Sequence, residues 1–357
     1  MRDSGVRGAT RGSRAAGGKS TRPRRATIND VARLAGVSKK TVSRVTNEFP
    51  SVTTATRQRV LEAIKLVNYV PDPQARGLAF RRSMLVGFIY DNPNPQYIVS
   101  AQQGLLEGLK GTGFELIVRP CNRASADFLP EMRALIEQRR LAGVVLFPSV
   151  SEDERLAHLL LELGCPYVRV ASVSLDEPAK SLVTHDARGA ADAARHIAGL
   201  GHTRIGHISG PMTFRSAHER RRGFVAGLTE AGLTLPERYV RQAGYTFESG
   251  LEAARELLRL RSPPSAIFTG NDEMAVGVYQ AARDCGIGIP GELSVIGYDD
   301  SPIASRVWPA LTTVRLPIVD MARTAAAMLF AQEEGRTLSA PPVTPALVVR
   351  ASTARAA

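Results

Sequence analysis

Thr27 to Asn47 read T-I-N-D-V-A-R-L-A-G-V-S-K-K-T-V-S-R-V-T-N. Thr27 followed three residues later by Asp30 has the form of a capping box. It precedes an apolar-periodic segment, Val31, Leu34 and Ala35. Gly36 breaks that segment, because glycine ends a helix without steric cost. Ser38 then caps a second helix over Lys39 to Thr46, whose inner face carries Val42 and Val45. Helix, tight glycine turn and second helix make a helix-turn-helix unit.

The reading extends in both directions. A third helix is expected from near Thr54, with Val60, Ile64 and Val67 at i, i+4 and i+7 and Asn68 as its stop. Residues 71–83, P-D-P-Q-A-R-G-L-A-F-R-R-S, form a connector. Pro73 suits the first position of a short helix that Gly77 makes weak in isolation. Upstream, residues 1–26 hold Arg, Gly, Ser, Ala and Thr with almost nothing to bury, so a disordered basic tail is expected.

From Met84 short apolar runs alternate with amphipathic stretches. The runs are Leu85–Tyr90, Phe114–Val118, Gly143–Phe147, Tyr167–Val170, Arg204–Ile208, Ala266–Thr269 and Leu293–Gly297. Helix-like stretches such as Val99–Lys110, Arg188–Gly199 and Glu248–Leu260 lie between them. Such alternation predicts parallel sheets covered by helices on both faces. A body of this length is too large for one layered core, so two lobes are expected, with the ligand site in the cleft between them.

Charge divides the chain in the same places. The net charge of +12 splits into +7 for residues 1–26, +6 for 27–83 and −1 for 84–357. The composition therefore describes a polyanion-binding head on a neutral body. At 44% hydrophobic and 22% charged the chain is globular. No apolar run approaches the ~18 residues of a membrane span, and no apolar stretch follows the basic N-terminus as in a secretory signal. Cys121, Cys165 and Cys285 are scattered and without metal-ligand spacing, which fits a reduced cytoplasmic protein. No cofactor or metal site is expected. The sequence contains no P-loop, H-E-x-x-H, G-x-S-x-G or complete G-x-G-x-x-G opening a helix, so an enzyme is not the expected reading.

The quoted stretch resembles the head of the lactose-repressor-type (LacI/GalR) transcription regulators. T-R-Q-R-V-L-E-A-I-K-L-V-N-Y-V-P-D (56–72) and A-R-G-L-A (75–79) continue the resemblance. So do L-G-H-T-R-I-G-H-I-S-G (200–210), G-N-D-E-M-A-V-G (270–277) and V-I-G-Y-D-D (295–300), in order and at suitable spacing. The resemblance spans about residues 27–353. It implies an all-α helix-turn-helix domain (27–72), a hinge helix or linker (73–83) and an α/β, periplasmic-binding-protein-like core with parallel sheets (84–357). The chain would cross between the lobes three times. The N-lobe would take about 84–183 plus 316–343, and the C-lobe about 184–315 plus 344–357. No leucine-heptad tail follows L-V-V-R-A-S-T, so a homodimer is expected over a tetramer.

In such a head the second helix reads the major groove. Lysine and arginine can pair with guanine O6 and N7. The resemblance places Lys39, Lys40 and Arg44 against bases; taken alone, the two lysines are an ordinary solvated pair. It places Ser38, Thr41, Ser43, Asn47, Thr56 and Arg57 mainly against phosphates, which position without reading. Leu78, apolar in a weak basic connector, is the candidate wedge that unstacks a base step in the minor groove; the alternative is that it packs on the core.

For the effector cleft the resemblance singles out Arg220, Tyr245, Asn271 and Asp299. The loop after the first core strand adds Asp91, Gln96 and Tyr97, and Ala171 stands where many relatives carry an acid. Asp272 and Asp300 are either helix caps or ligand groups. Arg221 and Arg222 are expected in solvent, and His202 and His207 in structural roles. Trp308 is expected either to line the cleft or to plug a lobe. The implied function is a cytoplasmic repressor, released from a pseudo-palindromic operator by a mono- or disaccharide. A co-repressed regulator with a non-sugar effector and a transport solute-binding protein are the alternatives.

Overall fold

The computed structural model describes residues 26–46, 52–69, 83–333 and 335–356. The chain forms two compact units that divide between Arg76 and Gly77. In the first unit the described residues form α1 (Ile28–Ala35), α2 (Lys39–Thr46) and α3 (Thr54–Leu66). The Asp30 carboxylate accepts from the Thr27 N–H at 2.9 Å and from its hydroxyl at 2.7 Å. Gly36, at φ 62°, ends α1. Ser38 Oγ accepts the Thr41 N–H at 3.1 Å to open α2. Asn68, at φ 48°, follows the end of α3. Val31, Val42, Val45 and Val60 are buried in one cluster that fastens α2 across the other two helices. The tail over 1–25, Asn47, and most of the connector with Leu78 lie outside the described residues.

The second unit holds two sheets. The first is built from β1 (Leu85–Tyr90), β2 (Glu115–Pro120), β3 (Gly143–Leu146), β4 (Tyr167–Ala171) and β5 (Ser181–Val183). Its order is β2-β1-β3-β4-β5, parallel throughout. Helices α4 (Pro95–Leu109), α5 (Phe128–Arg139) and α6 (Glu154–Glu162) connect its strands. The second sheet follows α7 (Asp186–Gly199). It comprises β6 (Ile205–Ser209), β7 (Val240–Gln242), β8 (Ala266–Thr269), β9 (Ser294–Asp299), β10 (Thr312–Arg315) and β11 (Ala346–Val348). Helices α8 (Arg215–Glu230), α9 (Phe247–Leu258) and α10 (Asp272–Asp284) join them. The order is β11-β10-β9-β8-β6-β7, parallel except for β11 on β10. After β10 the chain returns to the first lobe as α11 (Ile318–Glu333), which packs on α4 and β4. The lobes are thus joined after β5, after β10 and before β11.

Central strands β3, β4, β8 and β9 are buried along their whole length, as continuous apolar runs between two helical layers must be. Among their neighbours is a histidine. His207 on β6 is fully buried, stacked on Phe268 with centroids 5.2 Å apart, and its Nδ1 meets the Phe268 carbonyl at 3.1 Å. Its Nε2 is buried without a hydrogen-bond partner.

Burial pushes the His207 pKa down to about 4 from its ordinary 6.5. The native state therefore binds fewer protons than the unfolded chain between those values. Stability present above pH 6.5 is lost as pH falls toward 4, by roughly 3 kcal/mol. His207→Phe is expected to remove that part of the acid sensitivity. Urea midpoints at pH 7.5 and pH 4.5 measure it; equal losses in parent and variant would acquit the histidine.

Candidate functional site

The head offers one polar face. Lys39, Lys40 and Arg44 are exposed on α2 and form no ion pair among the described residues. Thr41 and Ser43 on the same helix are half-buried. Ser38 Oγ serves the α2 cap, and the Thr56 hydroxyl accepts from Thr53 at 3.0 Å beside the α3 cap. Both hydroxyls therefore hold helix ends. Arg57 lies on α3, half-buried.

In the second unit, strand C-termini and helix N-termini of both lobes converge on one cleft, as parallel α/β connections dictate. Its centre is Arg220 on α8, only 5% exposed. Arg220 Nε donates to Asp186 Oδ1 at 2.8 Å, and Nη1 donates to the Gly270 carbonyl. Nη2 lies 3.5 Å from Asp299 Oδ1, and the guanidinium sits 3.7 Å over the Tyr298 ring. The Thr184 hydroxyl donates to Asp186 Oδ2. Asn94, from the opposite lobe, donates through Nδ2 to Asp299 Oδ2 at 3.4 Å. Burial works against the Arg220 charge, but Asp186 and Asp299 outweigh it and hold its pKa well above the ordinary value. Burial also pushes Asp299 up to about 7; Arg220 opposes this and Asp186 adds to it.

Local backbone sets these side chains. Asp186 opens α7 and Arg220 lies on α8, so their distance depends on how closely the helices pack. Gly223 makes that packing possible: a Cβ there would lie 1.9 Å from the Ala187 carbonyl oxygen. Tyr245 occupies φ 63° and Asp299 φ 103°, both unusual for residues with a side chain. Asn271 caps α10 by accepting the Met274 N–H at 3.0 Å, and its Nδ2 holds the Tyr245 carbonyl at 2.9 Å. The Tyr245 ring meets Phe214 edge-on at 5.4 Å.

The lobes also touch at the rim. Arg123, after β2, donates to the Thr213 carbonyl of the other lobe and to the Ser149 carbonyl at 3.3 Å. Glu152 Oε2 accepts the Arg215 N–H, the first of α8, at 3.0 Å. The cavity left between the lining side chains is about 30 Å³, room for a water or two. The lobes stand closed on each other.

Of the side chains expected at the cleft, Tyr97, Arg220, Tyr245, Asn271 and Asp299 line it together. Asp91 and Gln96 do not. The Asp91 carboxylate accepts the Arg123 N–H at 3.3 Å behind the rim, and Gln96 turns along α4 to Ser100 at 3.3 Å. The helix begins at Pro95, so Asn94 and Tyr97 face inward and Gln96 does not. Asn94, Asp186, Thr184, Ser172, Ser216 and Phe214 are among the other lining residues and were not anticipated. Asn94 before a proline and Asp186 before a helical stretch read as caps, which is the signal that could have found them. Asp272 accepts from Thr313 and Ser301 hydroxyls at 2.6 and 2.9 Å, and Asp300 pairs with Arg315 and Arg350 at 2.6 Å each. Both fasten loops. Trp308 neither lines the cleft nor plugs a lobe; it is 92% exposed, beside Tyr279 and Val307.

No helix among the described residues is long and apolar enough to cross a membrane. Residues 27–72 match the bacterial regulatory proteins of the lacI family, and residues 194–353 match a periplasmic binding protein-like domain. The chain is 32% identical to catabolite control protein A of Priestia megaterium, over 85% of this chain and 91% of that protein. It is 33% identical to the ribose operon repressor of Escherichia coli K12, over 82% and 88%. Among solved structures it resembles the lac repressor dimer bound to operator and an anti-inducer: TM-score 0.77, 25% identity, 93% of this chain and 100% of that one. The transcriptional regulator CelR in complex with cellobiose gives TM-score 0.69 and 29% identity over 92% and 100%.

Gly223→Ala is expected to destabilise the core by about 1–3 kcal/mol through overpacking of α8 on α7. Gly199→Ala is the control. It lies at the exposed end of α7 with nothing within 4 Å of the new Cβ, and should be neutral or stabilising. Denaturant melts compare the two; equal effects would refute the close-approach argument.

Proposed function

Because the chain belongs to the lacI family of bacterial regulatory proteins, we propose that it is a sequence-specific, DNA-binding transcriptional repressor of the cytoplasm. It leaves a pseudo-palindromic operator when a sugar-like small effector enters the interlobe cleft. The observation that carries this reading is the union, in one chain, of a helix-turn-helix with an exposed basic face on α2 and a buried polar cleft around Arg220. Relatives described as a ribose operon repressor and as a cellobiose complex support a sugar-like effector. A lac repressor dimer on its operator supports action as a homodimer.

In this reading Lys39, Lys40 and Arg44 meet base edges. Ser38, Thr41, Ser43, Asn47, Thr56 and Arg57 hold the backbone, Ser38 and Thr56 partly by presenting helix N-termini to phosphate. Leu78 wedges the minor groove. Tyr97, Arg220, Tyr245, Asn271 and Asp299 hold the effector. Effector and operator prefer different arrangements of the lobes, so each weakens the other by the same factor.

The test uses a duplex selected from a random pool by the wild-type protein, with binding read by fluorescence anisotropy. Arg44→Ala should lose about 1–3 kcal/mol of discrimination at one base pair per half-site. Arg220→Lys, which keeps the buried charge but cannot hold both carboxylates, should bind the duplex within about threefold of wild type yet ignore sugars that release the parent. The slope of log K against log salt should be roughly −7 to −9. A slope near −2, or loss of operator affinity in folded Arg220→Lys, would count against the assignment.

A further inference from the structure

The charges of the cleft are lopsided. Its lining carries two carboxylates, Asp186 and Asp299, and one guanidinium, Arg220. These are 1%, 6% and 5% exposed. The guanidinium is hydrogen-bonded through Nε and Nη1 and ion-paired, without a hydrogen bond, through Nη2. Nε is bonded to Asp186, Nη1 to the Gly270 carbonyl, and Nη2 points to Asp299, while Tyr298 covers one face. A third carboxyl, Asp272, lies fully buried close by, and burial pushes it up to about 8.

An anion needs a free cation or a free helix N-terminus. The helices that open at this cleft do not offer one. Asn94 Oδ1 takes the Gln96 and Tyr97 N–H groups of α4 at 3.1 and 3.3 Å. Asn271 Oδ1 takes the Met274 N–H of α10. Glu152, from the facing lobe, takes the first N–H of α8. The first residue of α7 is Asp186 itself. The ends of α4, α8 and α10 are thus stoppered by protein acceptors, and α7 opens with a carboxylate. Neutral hydroxyl groups meet a different surface: carboxylate oxygens that accept, amides that do both, and the buried Ser172 Oγ, which has no hydrogen-bond partner.

We propose that the cleft selects uncharged polyhydroxy ligands and rejects their carboxylated or phosphorylated counterparts, with Asp186 setting this preference. The inference rests on the reading of the cleft as the effector site and narrows it. Asp186 is the determinant because it holds the Nε edge of Arg220, while burial pushes the other lining carboxyl, Asp299, up to about 7. Asparagine in its place keeps an acceptor for Nε and removes one carboxylate from the lining.

The experiment is a thermal-shift and calorimetric titration of the full chain with matched pairs: ribose and ribose 5-phosphate, glucose and glucuronate, galactose and galacturonate. At least one neutral sugar is expected to bind, with its acidic counterpart weaker by about 100-fold or more, as like-charge juxtaposition in a buried site requires. In Asp186→Asn the gap between the two should shrink by about tenfold. An acidic sugar that binds wild type as tightly as its neutral partner overturns the inference and leaves the effector site standing. So does an unchanged gap in folded Asp186→Asn. If no member of any pair binds while the chain still holds its selected duplex, the sugar-site reading falls, and this inference with it.

Discussion

A guanidinium taken out of water is the constraint around which the core is arranged. The effective cost of burying such an ion is several kcal/mol, and it is offset only by well-placed partners. Arg220 has them: Asp186 at 2.8 Å, the Gly270 carbonyl, Asp299 at 3.5 Å and the Tyr298 ring. Each partner imposes a demand on the chain. Asp186 requires α7 to lie against α8 at glycine distance. Asp299 requires the last residue of β9 to take φ 103°. The Gly270 carbonyl requires β8 to end where α10 begins. The open face of one lobe is thereby specified by a single side chain.

The same group reaches the other lobe. Asp299 is shared with Asn94, whose side chain also caps α4. Further bonds cross the cleft at the rim, through Arg123 to Thr213 and through Glu152 to Arg215. The covalent crossovers leave from β5 and from the β10–β11 edge, while Arg123 follows β2 and Thr213 follows β6, on the remote sides of the two sheets. Contacts remote from the hinge act on a long lever, so they weigh heavily on how far the lobes stand apart. Separation of the lobes breaks all three links and gives Asp299 to water. A ligand that bridges the same groups can replace them, and the difference is the free energy with which it biases closure.

Much of this architecture was legible in the sequence. The head was readable because its signals are local: the Thr27–Asp30 box, Gly36 and the valine spacing each act within a turn of helix. The central strands were readable because a strand buried on both faces is a continuous apolar run; β1 and β8 have the bounds read from sequence. The short strands β5, β7, β10 and β11 were not. Three or four residues long, they owe their conformation to a neighbour already in place. At the site, Asn94 and Asp186 escaped notice because in sequence they are indistinguishable from ordinary caps. Only the fold shows that these positions open onto the cleft. Gln96 and Asp91 were wrongly included because a loop read linearly does not reveal where the helical turn begins. Trp308 misled for a simpler reason: a large aromatic side chain usually finds cover within its own lobe, and this one is on the surface.

Charge makes the same point about scale. The body's −1 over residues 84–357 looks inert beside the head's +6. Most of its charges are exposed pairs such as Arg133–Glu162 and Arg195–Glu230, which water and salt screen to little consequence. The groups buried around Arg220 escape that screening. Around Arg220 carboxyl groups outnumber the guanidinium, in a low-dielectric cleft where such an imbalance bears on what can enter. Net charge thus locates the DNA-binding end of the chain by its sum, whereas the selectivity of the other end lies in a local imbalance that the sum conceals.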